Sequence, residues 1–240
     1  MSFQLLSPAG ICMDARFDES LIALAAENGP TACVWECGEG LVVPRTYQRH
    51  ESFTTSCNAF ARQGWPVTIR QSGGGIVPQG PGIINLSLAY AATGKPLDHS
   101  DEAYLLLCRL IANALQEYGI AAHPQAVEGS FCDGRYNLAV GTGQEAKKVA
   151  GTAQLWRRHI IDGSTDTVQV VLAHALILAA VDVDAITGKA NSFEEALGND
   201  KRYVSDRIAS LHARCRPPTY TEASFTRALR HSLEKQLISA

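Results

Sequence analysis

Three stretches of the sequence carry residue types and spacings that could do chemistry. In Arg70-Gln71-Ser72-Gly73-Gly74-Gly75, three consecutive glycines strip a turn of side chains, so its amides can approach a ligand and point at an anionic or carbonyl oxygen. Arg70 adds a fixed positive charge. The spacing is neither that of a dinucleotide-binding GxGxxG loop nor that of a P-loop, so a simple turn stays open on these residues alone. In Gly129-Ser130-Phe131-Cys132-Asp133-Gly134-Arg135, Cys132 sits among small and turn-forming residues near Arg135. A thiolate there could be accessible, electrostatically favoured and able to attack a thioester; a buried, idle thiol is the alternative. In Lys147-Lys148-Val149-Ala150-Gly151-Thr152-Ala153-Gln154, Lys148 is expected on a strand, sharing a face with Ala150 and Thr152. Small neighbours leave room for a ligand whose phosphate or oxyanion the ammonium could hold. Two lysines guarding a solvated sheet edge are the competing explanation.

These pieces need elements to position them. Apolar spacing predicts helices over 18–28, stopped by Gly29, and over 52–63, with Phe53, Cys57 and Phe60 inward and Gly64 as the stop. The strongest helical pattern begins with Ser100 as N-cap and buries Ala103, Leu106, Leu107, Leu110, Ile111 and Ala114 before Gly119. A last helix is expected from Thr219, with Glu222 completing a capping box and Phe225, Leu229, Leu233 and Leu237 on one stripe. Strands are expected over 31–35, 41–44, 66–70, 83–90, 136–140, 148–154 and 168–178. Elements in this order do not alternate as βα units, so the expected class is α+β, with a mixed, largely antiparallel sheet flanked by helices. No internal repeat or long linker is present. The chain reads as one catalytic domain over 1–240, with 199–240 a C-terminal helical closure and 198–218 the one stretch suited to a hinge.

Composition narrows the function classes. A net charge of −3 and a pI near 6.2 supply no global positive field for nucleic acid. Seven cysteines, an odd number without a CxxC pair, suggest reduced thiols in the cytoplasm, with Cys33 and Cys37 buried rather than metal-binding. No metal site is expected. Neither a secretory leader nor a run of about 18 apolar residues is evident, so no membrane association is expected.

Together, Arg70-Gln71-Ser72-Gly73-Gly74-Gly75-Ile76-Val77, Asn85-Leu86-Ser87, Lys148-Val149-Ala150-Gly151-Thr152-Ala153-Gln154 and Ala173-His174-Ala175-Leu176-Ile177-Leu178 resemble, in order and separation, the successive motifs of lipoate-protein ligases and octanoyl transferases. The resemblance implies the class II synthetase-like catalytic fold shared with biotin-protein ligases. An acyl chain would lie in a tunnel beneath the glycine loop, and Lys148 would be the essential lysine. Arg70, Ser72, Gly73, Gly74, Gly75, Asn85, Gly151, Thr152, Ala153 and His174 would bind the acyl group or nucleotide. The 129–134 segment resembles the Gly-Ser-Tyr-Cys-Pro-Gly motif of the amidotransferase branch, which puts Cys132 in the nucleophile's place. The implied reaction attaches a lipoyl or octanoyl group to a lysine of a 2-oxoacid dehydrogenase lipoyl domain or of the glycine cleavage H protein, with acyl carrier protein a candidate donor. An ATP- and Mg²⁺-dependent ligase would pass through an acyl-adenylate; a transferase would pass through a Cys132 thioester. Departures from the pattern are Pro78 and Gln79 where many ligases have a histidine, Asn137 in place of an acidic residue, and the lack of a sizeable C-terminal accessory domain. A non-catalytic acyl- or cofactor-binding protein of the same fold is the alternative, as is a biotin-protein ligase, although the glycine motif is not of the GRGR type.

Overall fold

The computed structural model describes residues 2–8, 10–12, 14–93, 95–160 and 167–238. Its frame comes from the longest β-prone runs. β6 (Ile83–Ala92), β9 (Lys147–Ile160) and β10 (Thr167–Leu178) lie side by side and antiparallel, with β10 in the middle. Around them the sheet is completed by β1 (Gln4–Leu6), β2 (Thr31–Trp35), β7 (His123–Pro124) and β8 (Leu138–Val140), in the order β1-β2-β6-β10-β9-β8-β7. Only the β1–β2 pair is parallel in this sheet. A second sheet of three strands, β4-β3-β5, is built from β3 (Gly40–Pro44), β4 (Val67–Arg70) and β5 (Val77–Gln79). The class is α+β with a mixed, mostly antiparallel sheet, as the element order predicts.

One face of the large sheet is sealed by α3 (Pro96–Gln116) and α5 (Glu222–Ile238). Leu107, Leu110, Ile111 and Ala114 from α3, with Phe225, Leu229, Leu233 and Leu237 from α5, share a core with Leu86, Leu88, Ala173 and Ile177 of the strands. Burying a leucine-sized side chain contributes ~1.5–3 kcal/mol, so this layer anchors the sheet. The other face is shared between α1 (Leu21–Asn28) at one end and, at the other, the small sheet backed by α2 (Phe53–Arg62) and α4 (Val183–Ala196). The gap between these two covers is where the site forms.

Several local expectations are corrected. The first helix starts at Leu21, because 17–20 forms a 3₁₀ turn that swings Asp18 inward to hydrogen-bonding partners. α3 begins at Pro96 with Lys95 as N-cap; proline suits the first helical position, having no N–H to leave unpaired, and Ser100 falls one turn inside. α5 begins at Glu222, and Thr221 rather than Thr219 caps it, its hydroxyl accepting the Ser224 N–H at 3.3 Å. The 198–218 stretch does not run free as a hinge. Its amides at Val204, Ala209, Leu211 and His212 donate to Gly129, Lys148, Leu178 and Ala179, stitching it across the strand ends. The short strands β1, β5 and β7 had no signal in the sequence.

Candidate active site

Strand register assembles the site's floor. Trp35, Asn85, Leu176 and Gly151 are successive partners across β2, β6, β10 and β9, and the neighbouring row on the same face is Cys33, Ser87, His174 and Ala153. Above them, the small sheet contributes Val42, Arg70, Val77 and Gln79, and together these residues line a narrow, partly open cavity of about 60 Å³. Its walls are mainly apolar, from Trp35, Val42, Val77, Ala153 and Leu176, and Cys132, His174, Asp18 and Arg70 bring polarity to it. An acyl chain with a reacting carbonyl at one end suits such a lining.

Cys132 is the best-determined member. It is the one non-glycine residue with positive φ among the described residues, at 50°. Three donors hold its carbonyl there: the Gly134 N–H at 2.9 Å, Asn137 Nδ2 at 3.0 Å and Lys148 Nζ at 2.9 Å. Its Sγ accepts the Gly75 N–H at 3.2 Å and lies 4.0 Å from Arg70 Nη2. The glycines are required here. A Cβ on Gly74, whose φ is +107°, would stand 2.7 Å from that sulfur, and Gly75 packs against the Cys132 backbone. Arg70 clamps the turn from beneath through Gly73 O at 3.0 Å and Gly75 O at 2.6 Å.

Lys148 is completely buried and does not line the cavity. Its ammonium donates to Phe131 O at 2.6 Å as well as to Cys132 O. The expected face shared with Ala150 and Thr152 does not exist, because the β8–β9 pairing slips between Leu138 and Ala139. That bulge turns Lys148 toward Gly151, where a Cβ would meet Nζ at 2.8 Å. Thr152 is carried away from the cavity, and its hydroxyl donates to Tyr136 O at 2.8 Å.

Electrostatics separate Cys132 from the other thiols. Burial pushes Cys12, Cys57 and Cys215 up, Cys33 to about 12, and Cys37 and Cys108 to about 11. Burial pushes Cys132 up too, but the Lys148 and Arg70 charges and the Gly75 amide outweigh it and bring the thiol below its ordinary value. For Lys148 burial wins: the ammonium is pulled down to about 8, although Cys132 and Asp133 act in the opposite direction.

Of the other expected site residues, Asn85, Gly151, Ala153 and His174 line the cavity, whereas Ser72, Gly73, Gly74 and Gly75 do not, and the glycine turn meets the site only through its contacts with Cys132 and Arg70. Asn85 forms a reciprocal amide pair with Gln79, at 2.9 and 3.0 Å, so the glutamine that departs from the histidine pattern is itself part of the wall. Sequence reasoning missed Asp18. Its Oδ2 accepts from His174 Nδ1 at 2.7 Å and from Ser87 Oγ at 2.9 Å, while Ser72 Oγ lies 2.9 Å from His174 Nε2. An aspartate 156 positions from its histidine leaves no local trace in the sequence.

Residues 13–234 match the family model of the lipoyl protein ligase A/B catalytic domain. The chain belongs to that family. It is 49% identical over 194 residues to an uncharacterized protein of Cupriavidus necator, covering 80% of this chain and 77% of that one. It is 32% identical over 149 residues to the octanoyl-[GcvH]:protein N-octanoyltransferase of Kyrpidia tusciae, a match spanning 62% of this chain and half of the relative's length. Among solved structures, lipoate-protein ligase A bound with ATP superposes with a TM-score of 0.65 at 16% identity, over 99% of this chain and 86% of the other. The bipartite lipoate protein ligase of Thermoplasma acidophilum superposes at 0.61 and 17% identity, over 99% and 84%. At those identities the likeness establishes the fold of this family member, and its chemistry rests on the site.

Proposed function

We propose that this family member is a cysteine-dependent acyltransferase that moves an octanoyl or lipoyl group through a Cys132 thioester to a lysine of a lipoyl domain or glycine cleavage H protein in the cytoplasm. The observation that carries this reading is the cradle around Cys132: of seven thiols it alone is held below its ordinary value, by Lys148, Arg70 and the Gly75 amide. A thiolate at the end of an apolar cavity is placed to attack the carbonyl of an acyl chain lying in it. The glycine turn places no side chain over the sulfur, and its Gly75 N–H, 3.2 Å from Sγ, is the backbone donor nearest to where charge would develop on the carbonyl oxygen, worth about 3–4 kcal/mol in the transition state if it turns to that oxygen. Lys148 acts by charge from below. Its two bonds to the carbonyls of Phe131 and Cys132 hold the nucleophile's loop, which leaves it poorly placed to grip the phosphate of an acyl-adenylate. The naming of the Kyrpidia tusciae relative supports the same branch.

The test is acyl transfer to apo lipoyl domain and apo H protein, run with octanoylated H protein or octanoyl carrier protein and, separately, with free lipoate, ATP and Mg²⁺. Transfer without ATP, a covalent octanoyl adduct on Cys132 by mass spectrometry, and loss of both in Cys132→Ala are expected. A fully active Cys132→Ala in the ATP-dependent assay would replace this reading with the ligase route.

A further inference from the structure

Asn137 is completely buried, immediately precedes β8, and shares one acceptor with Lys148. Its Nδ2 donates to the Cys132 carbonyl at 3.0 Å, and Lys148 Nζ donates to the same oxygen at 2.9 Å. A carbonyl only accepts, so the amide is oriented with its nitrogen toward Cys132 and its oxygen turned away. That oxygen, Oδ1, has no hydrogen-bond partner among the described residues. It is not remote from the lysine. A Cβ at Gly151 would stand 3.7 Å from Oδ1 and 2.8 Å from Nζ, so both atoms flank the same glycine. The ammonium carries three protons and directs two of them to Phe131 O and Cys132 O. A buried acceptor thus lies close to a cation without being paired to it, an arrangement that folded proteins seldom keep without a use.

The use follows from charge. An acidic side chain in the same rotamer would set a carboxylate where the amide stands. One of its oxygens would take the place of Nδ2, separated from Nζ by no more than the two bonds to Cys132 O laid end to end, 3.0 and 2.9 Å. Opposite charges within about 4–6 Å stabilise each other's ionised forms, and a pair out of reach of water is little screened. The ammonium would then serve the carboxylate, and the Cys132 sulfur would lose a cation that favours its thiolate. The other groups facing this pair do not act in that way. Arg70 from β4 is a second positive charge, Tyr104 from α3 is pushed up by burial and stays neutral, and Asp133 on the cysteine's own loop is exposed to solvent. Asp18, Glu19 and His174 lie on the cavity wall.

We propose that Asn137 is a positioning residue of the acyl transfer: its amide holds the Cys132 carbonyl without competing for Lys148, and its neutrality reserves the ammonium's charge for the Cys132 sulfur. The proposal rests on the Cys132 thioester reading above. It gives the departure from an acidic residue at this position a chemical consequence, because an amide here suits the route that runs through a thiolate.

Two variants of the full chain separate charge from packing. Cys132 is titrated in each by iodoacetamide alkylation followed by mass spectrometry, and its acylation by octanoyl-N-acetylcysteamine is timed. In Asn137→Asp the alkylation midpoint should move up, and acylation at pH 7 should slow by up to ~10-fold. Asn137→Ala removes the bond to Cys132 O but adds no charge, so acylation should slow while the midpoint keeps its parental value. A lysine paired with a carboxylate also holds its proton in the folded chain. The gain in urea stability from pH 7 to 10 that a depressed Lys148 gives the parent should therefore shrink in Asn137→Asp. A parental midpoint in Asn137→Asp, or equal shifts in both variants, would overturn the proposal. Where Asn137→Asp does not fold, Asn137→Ala decides: an unmoved midpoint upholds the proposal, and one that moves up reduces Asn137 to a clamp on the loop. Failure of the parent to accept octanoyl from the thioester would remove the reading beneath the proposal, while the alkylation midpoints would still decide what Asn137 does for the thiol.

Discussion

Lys148→Met separates the two things this lysine does. The variant keeps the length of the side chain and removes the charge beneath Cys132. An opposite charge within about 4–6 Å favours the thiolate, and Arg70 and the Gly75 amide remain in place, so the Cys132 thiol is expected to move up toward its ordinary value. The thiolate fraction at neutral pH would drop with it. The thiolate that remains is a stronger nucleophile, because reactivity rises with basicity with a slope of about 0.4–0.5, so the observed rate should fall by less than the thiolate fraction does, ~10-fold at most. The midpoint of the pH profile is therefore the sharper readout. Iodoacetamide alkylation followed residue by residue by mass spectrometry measures it, and the other six cysteines, all pushed up by burial, serve as slow internal controls. Fold stability should respond in the other direction. Burial takes Lys148 from 10.5 to about 8, a penalty of about 3 kcal/mol for carrying the charge at neutral pH. Methionine removes that penalty but leaves Phe131 O without its donor, at about 1–3 kcal/mol. The net is a variant as stable as the parent or slightly more so. An unmoved alkylation midpoint, or a loss of more than about 3 kcal/mol of stability, would refute the account of a charged lysine tuning a thiol.

The same lysine imposes a pH dependence on the whole fold. Between about 8 and 10.5 the unfolded chain binds a proton that the folded chain has released, so stability rises with pH across that window by up to about 3 kcal/mol. The depressed Cys132 thiol acts in the same sense, contributing stability above 9.0 that is lost as pH falls through its folded value. Urea unfolding at pH 7 and 10 should show the increase in the parent and a smaller one in Lys148→Met. Gly151→Ala, which brings a methyl to 2.8 Å from Lys148 Nζ, should displace the ammonium, slow acyl transfer on the order of 10–100-fold and raise the alkylation midpoint as Lys148→Met does; parental kinetics would show that Nζ has room to move. Away from the site, Glu194 accepts the hydroxyls of Tyr47 and Tyr203, both at 2.6 Å, and Asn199 Nδ2 at 2.8 Å, and so locks α4 to the edge of the small sheet. Glu194→Ala orphans two buried phenols and should cost about 3 kcal/mol in thermal unfolding while the Cys132 alkylation profile keeps its midpoint.

What the sequence reveals of this site follows from how local each residue's task is. Three adjacent glycines are legible because a turn that must pass a sulfur at contact distance tolerates no side chain, and composition alone records that demand. Cys132 is legible for a related reason: turn-forming residues set it apart from the cysteines inside apolar runs. The role of Lys148 is legible only in part. Its charge can be read, but its direction depends on an extra residue, Val149, in its own strand where the pairing with Leu138 and Ala139 slips, and regular alternation therefore sends it to the wrong face. Asp18 lies beyond such reasoning altogether. An acidic residue just before an apolar helical pattern reads as a helix start, and nothing in its surroundings records that the turn delivers it to a histidine in the centre of the sheet. Its burial makes the omission consequential. A carboxylate taken from water at the cost of several kcal/mol is tolerable only where hydrogen bonds repay it, and here His174 Nδ1 and Ser87 Oγ both converge on Asp18 Oδ2. The residue least visible in the sequence is therefore the one that fixes how the ring on the cavity wall is turned.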